Sequence, residues 1–263
     1  MTLRWFFTDL EFVLLCDSTG RANIPDPFTF TSRIALAEEY EAERKRVLAE
    51  LRDRDDPELR ALADAVARPD VSLAIRSWDE KDYADPEHQI RVHAVRSRAR
   101  GYVITQRPGE TVFHSGGFDV VECDPHAVAD EALGCLPYAT AGRSAAIPLP
   151  GADTGAGAER FDSVPGIGDE VEEDDRGPVF LATPATRTGD LVVYQGRSKF
   201  GPRGRVGMAL DWRDLPEDGR YVIRTEPAGR MATGMGTKGM VEWVNEQIAE
   251  ILLRLDRHME NEE

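Results

Sequence analysis

The stretch that decides the fold is residues 189–223, which read GDLVVYQGRSKFGPRGRVGMALDWRDLPEDGRYVI. It contains an apolar segment at 191–194, an alternating segment at 206–212 and a third apolar segment at 221–223. The segment 215–219, Leu-Pro-Glu-Asp-Gly, has the composition of a tight turn. Short apolar or alternating runs bounded by turn residues predict strands. A long helix follows, with one apolar face formed by Val241, Val244, Ile248, Ile251 and Leu255.

The same order of elements occurs earlier, in residues 90–137. Ile90, Val92 and Ala94 alternate with polar residues, and a second run follows at 102–106. Pro108-Gly109 predicts a type II turn and 111–114 a third strand. A helix then begins at Asp124-Pro125, where aspartate caps and proline occupies the first turn.

Two meanders, each followed by a helix, predict an α+β fold. Its centre is a quasi-two-fold duplicated, twisted antiparallel β-sheet flanked by helices. We expect one domain over residues 1–263, with pseudo-repeat halves at 90–137 and 189–258. Between them, residues 151–177 are rich in Gly, Ala and acidic side chains and predict a flexible acidic linker.

The residues before the first half predict three helices and two strands. Thr8-Asp9 caps a short helix, and Thr31 or Ser32 caps a second that extends to about Arg54. A third helix starts at Asp56-Pro57. The strands are an edge strand at 28–31 and a strand at 71–75, followed by a polar loop at 79–88.

Composition limits the possible partners and the compartment. The 48 acidic and 32 basic side chains give a net charge of −16, which repels phosphate backbones and anionic lipids. No apolar run approaches the roughly 20 residues that span a bilayer. The N-terminus has no signal-type apolar core, and the three cysteines match no disulfide framework. We therefore expect a cytoplasmic protein that binds neither nucleic acid nor membranes.

No motif in the chain indicates catalysis. The GxGxxG pattern at 234–239 opens the last helix, but no parallel βαβ unit surrounds it, which favours a hinge over a nucleotide site. Cys123, His126, Cys135 and His114 lack zinc-ligand spacing, and no GxSxG sequence is present. We expect no cofactor, no metal and no catalytic residue. The alternative is a hydrolase-type enzyme, which a pocket that places His114 or His126 against a carboxylate would favour.

Several segments, taken in order over most of the chain, carry a family resemblance. The most telling is Leu-Asp-Trp-Arg-Asp at 210–214 followed by Asp-Gly-Arg-Tyr at 218–221. The other segments are residues 10–15, 24–30, 34–53, 56–62, 101–104 and 141–144. In these segments the chain resembles the EspG family, the cytosolic proteins associated with type VII (ESX) secretion in actinobacteria.

The resemblance implies a specific chaperone that binds the helical tip of the PPE subunit in PE–PPE heterodimers and keeps the pair soluble and competent for secretion. Such a surface requires exposed apolar anchors, and charged residues tune the encounter. The candidate partner-binding residues are Trp78, Tyr83, Arg203, Arg205, Met235, Met240 and Trp243. The cognate substrate and the oligomeric state stay open.

Overall fold

The computed structural model describes residues 2–20, 23–54, 56–150, 175–198, 204–227 and 229–260, with side chains described to residue 257. These residues form ten strands and six α-helices. The strands are β1 (Arg4–Phe7), β2 (Val71–Trp78), β3 (Ile90–Ser97), β4 (Arg100–Pro108), β5 (Ser115–Cys123), β6 (Ile147–Leu149), β7 (Arg187–Gln195), β8 (Gly207–Leu215), β9 (Gly219–Glu226) and β10 (Gly229–Gly234). The helices are α1 (Asp9–Ser18), α2 (Ala37–Asp53), α3 (Pro57–Ala67), α4 (Val128–Leu133), α5 (Arg176–Ala182) and α6 (Thr237–Glu260).

All ten strands belong to one antiparallel sheet with the order β1-β5-β4-β3-β2-β7-β8-β9-β10-β6. Its centre is the β2–β7 pair, whose register extends from Val71 opposite Gln195 to Trp78 opposite Thr188. On each side of this pair a four-stranded meander runs outward and ends beside a short strand from earlier in the chain, β1 beside β5 and β6 beside β10. This arrangement confirms the predicted α+β, quasi-two-fold sheet.

The halves of the sheet differ from the predicted ones by one strand. The predicted halves begin at residues 90 and 189, which makes β3 the equivalent of β7 in the repeat. In the structure β2 is the counterpart of β7, and the second meander ends with a fourth strand, β10. β10 has only six residues, two of them glycine, so its pattern is too short and too weak to predict a strand.

Two predicted strands are wrong. Residues 28–31 form no ladder; instead the Thr29 amide donates to the Gln106 side chain, and the Thr29 hydroxyl donates to the Val112 carbonyl. β1 occupies this edge of the sheet. Residues 111–114 form a turn in which the His114 amide donates to the Thr111 carbonyl at 3.0 Å, so β5 starts later, at Ser115.

The observed helix starts agree with the predicted capping residues better than the observed strands agree with the predicted strands. Thr8 forms a capping box with Glu11 at the start of α1, and Asp56 caps α3. α2 begins at Ala37, several residues after the predicted cap, and its N-cap makes no side-chain hydrogen bond. Asp124 accepts the His126 amide at 2.7 Å and closes a turn, so α4 starts only at Val128.

The two faces of the sheet are covered differently. On one face, here called the covered face, α4 and α6 pack over both halves and bury the alternating residues of β2, β3, β7 and β8. On the second face, α1 and α3 cover the first half, and α5 covers the outer strands of the second half. No described helix is long and apolar enough to cross a membrane.

Most of the predicted linker 151–177 lies outside the described residues. Its last residues are described, and Arg176 and Gly177 begin α5. Gly177 packs so closely on β6 that a Cβ atom would lie 2.3 Å from the Pro148 carbonyl oxygen. This end of the segment therefore belongs to the packed structure.

Candidate partner-binding surface

The second face of the sheet has an uncovered middle, between the helices of the first half and α5. We call it the open strip, and it consists of Arg76, Trp78, Arg91, Asp190, Val192, Tyr194, Ala209 and Asp211. Because side chains alternate along each strand, these residues point to the other face of the sheet from the core residues Leu73, Ile75 and Leu191. None of the open-strip residues belongs to the cores under α1, α3 or α5 that the described residues form.

A row of four charged side chains crosses the open strip at right angles to the strands. The register places Arg91 of β3 opposite Arg76 of β2, Arg76 opposite Asp190 of β7, and Asp190 opposite Asp211 of β8. We call these four residues the charge row. At its centre, Arg76 donates from Nε and Nη2 to one Asp190 carboxylate oxygen, at 2.9 and 2.8 Å.

The environment shifts the pKa of both outer members of the charge row. Desolvation, and then the neighbouring guanidinium of Arg76, lowers the pKa of Arg91. Partial desolvation, and then the carboxylate of Asp190, raises the pKa of Asp211, while Arg230 acts in the opposite direction. In both cases the neighbour of like charge disfavours the charged form.

An aromatic pair lies at one end of the open strip. The rings of Trp78 and Tyr83 meet edge to face, with centroids 5.7 Å apart, and the Arg76 guanidinium lies 5.1 Å from the Trp78 ring centroid. Tyr83 is 51% exposed, and its carbonyl accepts a hydrogen bond from the buried Gln89 side chain. The pair therefore offers an exposed aromatic surface on an anchored loop.

Arg213 fixes the position of this loop relative to α5. Its guanidinium donates to both carboxylate oxygens of Glu80 at 2.9 Å, and to three carbonyl groups at the C-terminal end of α5, those of Phe180, Leu181 and Thr183. Glu80 also accepts the Ala185 amide at 2.5 Å. Arg213 is 8% exposed, so it acts as a buried clamp between the loop and the helix.

The seven predicted partner-binding residues do not form one surface. Trp78 and Tyr83 lie together, while Arg205 lies at the far end of the open strip, where it lines a pocket with Ser72 and Tyr194. Arg203 lies outside the described residues.

The three predicted residues near α6 belong to the opposite side of the sheet. Met235 and Trp243 are partly buried and pack against the core of the covered face. Met240 is a correction: it is fully buried and lies 3.4 Å from the Arg220 guanidinium, because the helix turns it toward the sheet. Met240 is therefore a core residue of the covered face and not the exposed residue that the sequence suggested.

The segment that carried the family resemblance has structural roles. Trp212 is fully buried on the covered face, and the Arg220 guanidinium lies 5.5 Å from its ring centroid. Arg220 pairs with Asp214 through two hydrogen bonds of 2.7 and 2.8 Å. The Tyr221 hydroxyl donates to Asp218 at 2.6 Å. These residues hold the second meander to α6 and to the chain near residue 142.

The segments considered for other chemistry also have structural explanations. In the GxGxxG segment, a Cβ on Gly234 would lie 2.1 Å from the Gly142 carbonyl oxygen, and one on Gly236 would lie 2.7 Å from the Ala139 carbonyl oxygen. Close backbone contact thus accounts for these glycines. Burial raises the pKa of both Cys123 and Cys135 to about 11, with Glu131 adding to the effect.

Neither histidine named for the enzyme alternative forms an ion pair with a carboxylate of the described residues, although the charge of His114 contributes to lowering the pKa of Glu110. His114 Nδ1 lies 2.8 Å from the Thr111 hydroxyl in an exposed turn, and His126 is exposed. Within the described ranges, the one group with metal-ligand spacing is Asp82, Asp85 and His88, whose ligand atoms lie within 4.8 Å of one another. His88 Nδ1 is 3.7 Å from each carboxylate, a distance typical of a weak surface ion pair.

Comparisons with known proteins place the chain in a family. Among solved structures it is similar to the Mycobacterium tuberculosis type VII secretion system chaperone EspG5 in complex with the PE25-PPE41 dimer, with a TM-score of 0.49, 12% sequence identity and 96% of each chain covered. No curated protein matches the chain at a significant level. The sequence profile of the EspG family matches residues 8–240, from the cap of α1 to the first turn of α6. The chain therefore belongs to the EspG family.

Proposed function

We propose that this protein is a cytoplasmic chaperone of type VII secretion that binds the PPE subunit of a PE–PPE heterodimer. The observation that carries the proposal is the family match over residues 8–240, which includes both meanders of the sheet. EspG proteins act as chaperones for such pairs, and the activity proposed here is binding without a catalytic step.

The geometry favours the open strip as the docking surface. It is four strands wide, from β3 to β8, which corresponds to about 14 Å at about 4.8 Å per strand. A helix with its side chains is about 10–12 Å across. The strip therefore has the width to receive one helix, or the tip where two helices meet, between the first-half helices and α5.

Trp78 and Tyr83 are the proposed anchors at one end of this surface. Aromatic side chains dominate binding energy when a partner desolvates them, and here the two rings already contact each other before binding. Two exposed apolar residues of α5, Val179 at 62% and Leu181 at 38%, extend the apolar area on the neighbouring helix. Arg205 would change the rate of encounter at the other end through its charge, and a contact by Arg203, which lies outside the described residues, stays a prediction.

Co-expression with a PE–PPE pair encoded beside this chain, followed by size-exclusion chromatography and titration calorimetry, tests the proposal. We expect a stable complex that contains all three chains. Tyr83→Ala should weaken it, whereas the control Tyr138→Ala should not, since Tyr138 is 77% exposed but follows α4, away from the open strip. Failure of the wild-type protein to retain any PE–PPE pair would contradict the proposed function.

A further inference from the structure

Neither outer member of the charge row forms an ion pair with a residue that the structure describes. Arg91 makes no hydrogen bond or ion pair with any residue that the structure describes, and its Nε is buried without an acceptor. Asp211 likewise has no hydrogen-bond or ion-pair partner in the described part of the chain, but its side chain is exposed to water and the charge of Arg230 favours its ionised form. The central pair, Arg76 with Asp190, is satisfied. Arg91 is therefore the least compensated charge of the row, and Asp211 is an exposed carboxylate that is open to a further cationic partner.

This arrangement is costly for the free protein. A partly buried guanidinium without a carboxylate loses hydration and gains no compensating hydrogen bond. Its neighbour Arg76 is directly opposite on β2 and repels it. At the other end, Asp190 and Asp211 are also direct neighbours of like charge. The sequence of charges across the strip is plus, plus, minus, minus, which leaves one end cationic and the other anionic.

We infer that the charge row sets the register of the partner, with a carboxylate of the PPE subunit binding Arg91 and a lysine or arginine of the same subunit binding Asp211. This inference rests on the proposed function. The two positions are three strand spacings apart, about 14 Å. On a helix that lies across the strands, that distance corresponds to about nine or ten residues at 1.5 Å per residue.

The charge balance favours a single carboxylate over a phosphate-rich ligand. Asp190 already neutralises Arg76, so the cationic end offers one unpaired guanidinium. The whole chain carries a net charge of −16, which repels polyanions at longer range. A guanidinium and a carboxylate also match in shape, because both can form two parallel hydrogen bonds.

The same arrangement provides discrimination between partners. A helical tip without the acidic residue would leave Arg91 buried and unpaired, and a tip with the opposite order of charges would place like charges together at both ends. Both cases cost binding energy without any steric clash. The apolar anchors would then supply affinity, and the charge row would supply orientation.

Charge variants on the open strip test the inference. Arg91→Glu and Asp211→Lys are compared with the wild type for binding to the co-expressed PE–PPE pair, by titration calorimetry at two salt concentrations. We expect Arg91→Glu to weaken binding by at least about thirtyfold and Asp211→Lys by about tenfold or more, since each leaves like charges facing in the complex. Arg91→Met, which keeps the apolar stem but removes the charge, should give a smaller loss.

Arg4→Glu is the matched control. Arg4 is exposed on β1, at the edge of the sheet and far from the open strip, so the same change of charge there should leave the affinity unchanged. The acidic residues of the PPE tip are then changed to lysine one at a time. One of them should restore binding to Arg91→Glu while weakening binding to the wild type.

The outcomes distinguish a failure of the register inference from a failure of the proposed function. If the wild-type protein retains the pair but both charge variants bind it as well as Arg4→Glu does, the register inference is wrong and the proposed function stands. If Arg91→Glu lowers the melting temperature and leaves binding unchanged, the counter-ion belongs to this chain and the inference is again wrong. If the wild-type protein retains no pair, the proposed function fails and the inference fails with it.

Discussion

The two faces of the sheet each contain an Arg–Asp pair, and the pairs differ in surroundings more than in geometry. On the covered face, Arg220 and Asp214 have side chains that are 0% and 13% exposed. On the open strip, Arg76 and Asp190 are 42% and 31% exposed. Both have hydrogen bonds between 2.7 and 2.9 Å. Because the geometry of the two pairs is similar, the difference in burial predicts that the pair on the covered face contributes more to the stability of the fold.

The buried pair is part of a closed network. Arg220 also donates to the Pro137 carbonyl, contacts Met240 sulfur at 3.4 Å and stacks near Trp212. Its loss of hydration is thus offset within the protein. The exposed pair has two neighbours without an ion pair in the described part of the chain, Arg91 and Asp211, and gains only a screened attraction in water.

The largest expected effect follows from breaking the buried pair. Asp214→Ala leaves the Arg220 guanidinium buried without a carboxylate and should lower the free energy of unfolding by about 3–5 kcal/mol. The matched change on the open strip, Asp190→Ala, should cost less than about 1 kcal/mol. Urea unfolding followed by circular dichroism gives both values. Equal losses at the two positions would contradict the distinction between the faces.

The second prediction is that the two tryptophans suggested as anchors differ, with Trp78 contributing to binding and Trp243 to stability. Trp78→Ala should weaken binding to the PE–PPE pair by about 2 kcal/mol or more, with little change in stability, because Trp78 lies at the end of the open strip. Trp243→Ala should lower the free energy of unfolding by about 2 kcal/mol, since Trp243 packs against the covered core. It should leave binding unchanged.

Titration calorimetry and unfolding are measured on both variants. Trp78→Ala should lose binding and keep its stability, whereas Trp243→Ala should lose stability and keep its binding. The reverse pattern, with binding lost at Trp243 and kept at Trp78, would move the docking surface to α6. A loss of stability in both variants would require the binding data to be taken only from the folded fraction.

Local patterns explain why part of the architecture could be predicted. The steps of three and four along α6 and the alternation at 206–212 each belong to one element with one buried face, so sequence alone shows them. The pairing of β2 with β7 joins residues more than a hundred positions apart, and no local signal specifies it. β1, β6 and β10 have three to six residues each, too few for a periodic pattern.

The open strip shows the same limit for the candidate site. The alternation of Arg91 with Ile90 and Val92 already indicated that Arg91 points away from the strand's apolar side. Its importance depends on its neighbours, Arg76 on β2 and Asp190 two strands away, which only the register reveals. Residue type alone suggested Trp78, Tyr83 and Met240 as candidates, and only the orientation of α6 shows that Met240 is buried, whereas Tyr83 is exposed.

A smaller effect is expected from the acidic segment. Replacing residues 151–174 with a short Gly/Ser linker should change the melting temperature by less than about 2 °C, because few apolar residues are lost. Extending the replacement through Phe180, which is 3% exposed, should lower it by several degrees. A large fall with the shorter replacement would show that the segment packs. A gain in partner affinity would show that it competes for the open strip.

The smallest expected effect concerns the reactivity of cysteine thiols on the two faces of the sheet. Cys123 and Cys135 pack against the core of the covered face, and burial raises the pKa of each thiol to about 11. The thiolate is the reactive form of cysteine. Only about one thiol in a thousand is therefore ionised at pH 8, and iodoacetamide should modify neither Cys123 nor Cys135 within an hour.

Ala209→Cys introduces a thiol on the exposed part of the open strip, two residues from Asp211, and mass spectrometry should show one added group there. The PE–PPE pair should protect this thiol. The denatured protein is the control, in which every cysteine should react. Rapid modification of the native cysteines would show that the covered face opens, and modification of the introduced thiol at an unchanged rate in the complex would show that the partner binds elsewhere.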